Sequence, residues 1–228
     1  MGYRLRLSGV LITALLSAPL AAQHQHQKPP QLAPGYSALG FKLPAVGSYS
    51  LPPMGSAADA WVLDNQGKSR RIHEFFGDKI VLLSFIYTRC NDVNGCPLAT
   101  SVLRTVQEQV HSSTDLEDQV RLISFSFDPH YDTPARLREY SAHFMRPGFD
   151  WQFLGSPSPE ALAPVLEAYN QWVIHDYDAS GNYLGTMSHL LRVYLIDRDG
   201  RIRNIYSTSF LHADTVANDI RTLLAETR

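Results

Sequence analysis

Cys90 and Cys96 are the only cysteines in the chain, and their surroundings matter more than their number. Cys90 follows directly on the apolar run Ile80-Val81-Leu82-Leu83-Ser84-Phe85-Ile86-Tyr87. Cys96 precedes Pro97 and a stretch with apolar residues at helical spacing (Leu98, Val102, Leu103, Val106, Val110). The pair therefore sits at a strand-to-helix junction. A thiol at a helix N-terminus meets unpaired backbone N–H groups and the positive end of the dipole, and both favour the thiolate. Arg89 adds a cation next door. The thiolate is the form that attacks disulfides and the form that binds soft metals. Five residues, Asn91-Asp92-Val93-Asn94-Gly95, separate the two sulfurs in sequence, and Asn94-Gly95 supplies a turn that folds the loop back. A structural disulfide closing a small loop is the competing reading. A soft copper ion takes thiolates plus an imidazole, so two cysteines alone leave its shell incomplete. Among the histidines, His189 is the candidate third ligand, because it immediately precedes the apolar run Leu190–Ile196 on the loop entering that strand. An ordinary loop histidine is the alternative there.

The elements that must position these residues follow from the apolar pattern. Ala60–Leu63 reads as a short strand, Ile72–Phe76 as a helical turn stopped by Gly77, and Lys79–Tyr87 as a strand buried on both faces of a parallel sheet. Val120–Phe127 is a second such strand, ended by Asp128-Pro129. Thr133 caps a helix with Pro134 at its first position, running to about Phe144. Trp151–Leu154 reads as a strand, and Ser158-Pro159-Glu160 opens a helix that contains Pro164. Leu190–Ile196 and Ile202–Tyr206 flank the turn Asp197-Arg198-Asp199-Gly200 as a hairpin, and Ala213–Glu226 closes the chain as a helix. The order β-α-β-α, then a hairpin, then a helix predicts an α/β thioredoxin-like fold: a central mixed sheet flanked by helices, with insertions and an N-terminal extended arm.

The flanking segments bound the setting. Residues 1–22 have the layout of a secretory signal: Arg4 and Arg6, an apolar stretch from Leu7 to Leu20, then Ala21-Ala22. Cleavage after Ala22 is expected, with an uncleaved N-terminal membrane anchor as the alternative. No cysteine lies near the cut, which excludes a lipid on a processed N-terminal cysteine. The protein is thus expected to be exported, to the periplasm or cell envelope, where two nearby cysteines tend to pair. Residues 23–58 hold six of the 14 prolines and little apolar periodicity, and read as an extended or loosely docked arm. His24 and His26 within it read as part of a polar mature N-terminus. The folded domain is expected over residues 59–228.

A net charge of −2 with no clustered basic footprint argues against a nucleic-acid partner. No phosphate loop and no nucleophile-elbow serine is present. His130, His143, His175 and His212 form no metal pattern and read as surface or helix-face residues. Trp61, Trp151 and Trp172 read as core or shell aromatics. Met187, two residues before His189, is the one methionine near the candidate site.

Over roughly residues 60 to 225 the sequence resembles the Sco (SenC/PrrC) family of copper-binding, thioredoxin-like proteins that help assemble the copper centre of cytochrome oxidase. The resemblance is carried by Ser84-Phe85-Ile86-Tyr87-Thr88-Arg89-Cys90 with Cys96-Pro97; by Ser124-Phe125-Ser126-Phe127-Asp128-Pro129 with Asp132-Thr133-Pro134; and by His189 with Tyr194-Leu195-Ile196-Asp197 and Asp199-Gly200. It implies that Cys90, Cys96 and His189 are ligands of copper, Cu(I) or Cu(II), and that Asp128 lies near the site with Arg89. Asp128 otherwise reads as a strand-end turn residue. The family usually has three residues between its cysteines where this chain has five, so the longer loop is expected to alter sulfur separation and to favour redox work over tight binding. Two functions follow. One is a metallochaperone that delivers copper to a cytochrome oxidase copper subunit or another exported cuproprotein, served by a thiol reductant partner that keeps the cysteines reduced. The other is a thiol–disulfide oxidoreductase acting on exported proteins through Cys90 and Cys96. Thioredoxin spacing favours Cys90 as the attacking thiol, and the helix cap favours Cys96. A pure exchanger usually carries a proline before the last hairpin, where this chain has Gly185-Thr186-Met187-Ser188-His189. Peroxide reduction, suggested by Thr88 two residues before Cys90, ranks last.

Overall fold

Every residue of the strand that leads to Cys90 is buried, and the sheet is built outward from it. A computed structural model describes residues 30–226. In chain order the strands and helices are β1 (Gly55–Ser56), β2 (Trp61–Leu63), β3 (Ser69–Arg71), β4 (Ile80–Ile86), α1 (Cys96–His111), α2 (Thr114–Glu117), β5 (Val120–Ser126), α3 (Pro134–Ser141), β6 (Trp151–Leu154), α4 (Pro159–Ala168), β7 (Val173–Tyr177), β8 (Tyr183–His189), β9 (Arg192–Ile196), β10 (Arg201–Ser207) and α5 (Ala213–Glu226). Six strands form one mixed sheet in the order β1-β10-β9-β4-β5-β6. β4, β5 and β6 run parallel, whereas β9 is antiparallel to β4 and β10 to β9. Helical crossovers cover the parallel half, so β4 and β5 must be apolar on both faces, and they are. This is the thioredoxin-like arrangement expected from the element order.

Aromatic packing fixes the middle of the sheet. Phe85 meets Phe125 edge-on at 5.5 Å between ring centroids and Tyr194 at 6.0 Å. Trp151 stacks on Phe153 and donates its indole N–H to Ser124 Oγ at 3.1 Å, so its polar atom is satisfied inside the core. Trp61 and Trp172, read as core or shell from sequence, are instead exposed, and Arg71 lies over the Trp61 ring. Thr133 caps α3 as expected, its hydroxyl accepting from the Arg136 N–H. The helix stops at Ser141 rather than near Phe144, because its last turn tightens into bonds from His143 to Tyr140 and Phe144 to Ser141.

Two features were not assigned from sequence. β7 and β8 form a separate antiparallel hairpin, turned by Asp178, whose Oδ1 accepts from the Ser180 and Asn182 N–H groups. Apart from buried Met187, both strands are exposed or half-buried, and neither shows the apolar alternation that marks a strand with one face in the core. The second feature is how the Pro-rich arm is held. From Gln31 onward the chain belongs to one unit. Ala33, Leu51 and Ala57 are buried, β1 pairs with β10 at the sheet edge, and Tyr49 donates to Asp219 of α5 at 2.6 Å. The edge strand is thereby covered by the chain's own N-terminal segment. The expected signal sequence, with His24 and His26, lies outside the described residues. Among those described, no helix is long and apolar enough to cross a membrane.

Leu82 lies at the centre of β4, fully buried between Leu122 of β5 and Leu195 of β9. Leu82→Ala is expected to cost about 2–5 kcal/mol, the usual range for emptying such a site. A urea titration should show the midpoint falling with an unchanged slope; a loss under about 1 kcal/mol would mean that β4 is not the centre of the core.

Candidate metal centre

Three elements deliver the three candidate ligands. Cys90 lies beyond the end of β4, Cys96 is the first residue of α1, and His189 is the last residue of β8. Their ligand atoms all lie within 4.8 Å of one another, and His189 Nε2 stands 3.3 Å from Cys96 Sγ. Both cysteines are free thiols, so the structural-disulfide reading does not describe this state. The five-residue loop still folds back far enough to bring the sulfurs together. His189 is not on a loop entering the core strand, as the apolar run suggested: it ends the β7–β8 hairpin. Leu190 and Leu191 make the crossing, and the core strand begins only at Arg192.

The imidazole is oriented by its neighbours. The Phe127 ring lies 4.8 Å from it and the Tyr87 ring 6.3 Å. His189 Nδ1 is buried and has no hydrogen-bond partner among the described residues, so the polar contact of the ring is directed at the sulfurs. Tyr87 also ties the hairpin to the cysteine strand. Its hydroxyl donates to the Met187 carbonyl and accepts from the Met187 N–H, each at 3.1 Å. Burial pushes its phenol up to about 12, so it stays protonated and able to donate. Met187 thus enters through its backbone, and its thioether is not among the grouped ligand atoms.

The loop's entrance is held by Asp132, a buried carboxylate that sequence reasoning passed over. It accepts from the Thr88 N–H at 2.9 Å, from the Thr88 hydroxyl, and from Ser126 Oγ at 2.6 Å. Burial raises its pKa, and the bonds from Ser126 and Thr88 oppose that rise. Thr88 is therefore engaged with Asp132 through both its backbone N–H and its hydroxyl. The signal was present: Asp132 lies four residues after the strand-end Asp128, inside a motif already singled out. Asp128 itself is not among the grouped ligand atoms. It receives the Arg89 guanidinium at 2.8 Å, and Arg89 also lies over the Tyr131 ring at 4.0 Å. That pair fixes the residue preceding Cys90. His130, His143 and His175 join no metal group, and His212 is buried as part of the α5 entrance, accepting from the Asp214 N–H.

The two thiols are driven apart in acidity. A hydrogen bond from Cys96, then one from His189, with the Cys96 and Asp92 backbone N–H groups, lowers Cys90 to about 4 against the opposing effect of burial. Burial, with the neighbouring Cys90 sulfur, pushes the Cys96 thiol well up. The helix N-terminus thus favours the thiolate of Cys90, whose sulfur it faces, rather than that of Cys96, which occupies the first helical position. A polar recess of about 240 Å³ opens beside them, lined by Cys90, Asp92, Asp176, Thr186 and His189 among others. Cys96 lies beneath it, 1% exposed. Any partner entering from this side meets Cys90 and His189 first.

A thioredoxin-like sheet with a cysteine pair at the β4–α1 junction and a histidine closing over it defines a dithiol–imidazole protein. Comparison with known proteins narrows this. The family model described as SCO1/SenC matches residues 54–225, and the chain belongs to that family. It is 24% identical over 156 residues to the SCO1 protein homolog of Bacillus subtilis (strain 168), covering 68% of this chain and 76% of that one. Among solved structures it is similar to apo Sco1 from Thermus thermophilus, at 30% identity and TM-score 0.61, covering 79% of this chain and 97% of the other. It is also similar to Bradyrhizobium japonicum ScoI with copper bound, at 26% identity and TM-score 0.57, covering 75% and 98%.

The split in acidity gives a pH test. An ordinary thiol, with a pKa of about 8.5, is under about 1% ionised at pH 6, whereas Cys90 is almost fully thiolate there. Iodoacetamide at pH 6 should label Cys90 of the reduced, folded protein and leave Cys96 untouched until the chain is unfolded. Because the folded thiol ionises below the unfolded one, its contribution to stability is full above the unfolded value and fades as pH falls toward 4. Labelling of both cysteines at equal rates would contradict the assignment.

Proposed function

We propose that this protein binds one copper ion through Cys90 Sγ, Cys96 Sγ and His189, and passes it to a cytochrome oxidase copper subunit or a similar exported cuproprotein. The observation that carries the reading is the meeting of two sulfurs and one imidazole nitrogen within 4.8 Å. Soft thiolates with an imidazole are the donor set that suits copper, and first-row metal bonds of about 2.0–2.3 Å suit donors at this spacing. The buried, unpartnered Nδ1 of His189 fits a ring whose working nitrogen faces the sulfurs. Copper bound in the related Bradyrhizobium japonicum ScoI supports the choice of metal.

The residues divide the work of transfer. Cys96, buried and held at the start of α1, keeps the ion in place, while Cys90 and His189 border the recess and can yield to incoming ligands. A ligand from the acceptor replaces one of them before the others let go, so copper need never be free. Tyr87 and Asp132 bind no metal in this scheme; they set the relative position of the hairpin and the cysteine loop. Export follows from the basic-apolar-small leader at residues 1–22.

The acidity split favours a second use of the same pair. Cys90 thiolate attacks a client disulfide and forms a mixed disulfide with one client sulfur, releasing the other as thiolate. Cys96, once deprotonated, then displaces the client, leaving a reduced client and a Cys90–Cys96 disulfide that a thiol reductant partner must reopen. The same reductant prepares the site for copper, which requires both thiols reduced.

Copper titration of the reduced full chain decides between these uses. Wild type is expected to take up about one copper per chain, and His189→Ala to weaken binding more than tenfold with an unchanged circular dichroism spectrum. Cys90→Ser should weaken it further. Equal affinity of wild type and His189→Ala would remove the histidine from the ligand set and leave disulfide exchange as the better reading.

A further inference from the structure

The Pro-rich arm does more than cover a sheet edge: its first described turn grips the loop between the two cysteines. Asn94 makes two bonds to arm backbone, accepting from the Ala33 N–H and donating to the Gln31 carbonyl, each at 2.8 Å. Tyr36 reaches the same loop from the arm, its hydroxyl donating to the Val93 carbonyl at 2.6 Å. Between them the arm is pressed onto the helix that begins at Cys96. A Cβ on Gly35 would stand 2.4 Å from the Leu211 carbonyl and 3.0 Å from Leu98 and Val102 side chains, so this position admits only glycine. Of the remaining loop bonds, those of the Asn94 and Gly95 N–H groups are internal, both to Asp92, and the end of the loop is tied to α1 by the Gly95 carbonyl, which accepts from the Ala99 N–H. Only the arm ties the middle of the loop to anything outside it among the described hydrogen bonds.

We infer that residues 31–36 are a positioning element of the cysteine site, and that Asn94 is the residue through which they act. The arm contacts are made with both cysteines as free thiols. Closing a disulfide requires the sulfurs to approach to about 2.05 Å, and a loop held at its midpoint by the arm resists any shift of its backbone toward that geometry. Contacts made in one state and loosened in the other bias the equilibrium toward the first. The arm therefore favours the open dithiol, the form able to take a metal, and opposes collapse to the disulfide in an oxidising compartment. The inference rests on Cys90 and Cys96 as the working pair, but not on copper as the cargo.

The test equilibrates the full chain with mixtures of glutathione and glutathione disulfide. Each protein disulfide formed takes two electrons from Cys90 and Cys96 and yields two glutathiones. Asn94→Ala is expected to move the balance about tenfold toward the disulfide, a shift of about 30 mV. Tyr36→Phe, which removes only the hydroxyl bond to Val93, should move it about threefold in the same direction and remains decisive if Asn94→Ala does not fold. Melting temperatures measured alongside separate positioning from mere stability. A lowered melting temperature with an unmoved redox balance in the folded variants, or a shift toward the dithiol, overturns the inference. Copper titration of the wild type is read independently: absence of binding there removes the copper reading and leaves the glutathione result intact.

Discussion

The contact between Cys96 and His189, 93 residues apart in sequence and 3.3 Å apart in space, is the constraint on which the site depends. Neither residue is held by its own neighbours in sequence alone. Cys96 is fixed because α1 begins there and packs its apolar stripe, Leu98, Val102, Leu103 and Val106, into the core. His189 is fixed because β8 hangs from Tyr87, whose hydroxyl bonds both backbone groups of Met187, and because Phe127 backs the ring. A side chain on an exposed hairpin would otherwise lose much rotamer freedom on reaching a buried sulfur. The two Tyr87 bonds and the aromatic wall offset that cost.

Around this contact the polar groups form a closed set of positioning bonds rather than a second reactive centre. Asp132 gathers Thr88 and Ser126, joining the ends of β4 and β5 beneath the loop. Asp128 holds Arg89, and the arm holds Asn94 and Val93. The ties fall at different points along the segment: at Thr88 and Arg89 just before Cys90, and at Val93 and Asn94 between the sulfurs. A loop of five residues is long enough to wander, and three ties at separate points are what keep the sulfurs at a defined separation.

The asymmetry of the two thiols follows from the same geometry. Cys96 is buried at the first helical position, so water cannot support its charge. Cys90 faces the helix end and the recess, with donors from Cys96, His189 and the backbone. One sulfur is an accessible thiolate and the other a shielded thiol. That division suits a stepwise exchange of ligands and a stepwise exchange of disulfides equally, the two uses proposed for the pair.

Sequence alone determined the elements whose pattern is local: β4 and β5 as unbroken apolar runs, Thr133-Pro134 as a helix start, Ala213–Glu226 as the last helix, and the cysteine pair at a strand-to-helix junction. These are legible because a core strand or an amphipathic helix must carry its burial in its own residue order. The hairpin that carries His189 carries no such order, since its strands are exposed or half-buried almost throughout and find their stability in pairing with each other and in the Tyr87 bonds. Asp132, Tyr87 and Asn94 escaped for a related reason: their partners lie 44, 100 and 61 residues away, and nothing in a polar side chain announces which distant group it will meet. Which sulfur ionises was likewise a tertiary decision. Both lie near the helix end in sequence, and only the folded chain distinguishes them, by the bonds that Cys90 receives from Cys96 and His189 and by the deeper burial of Cys96.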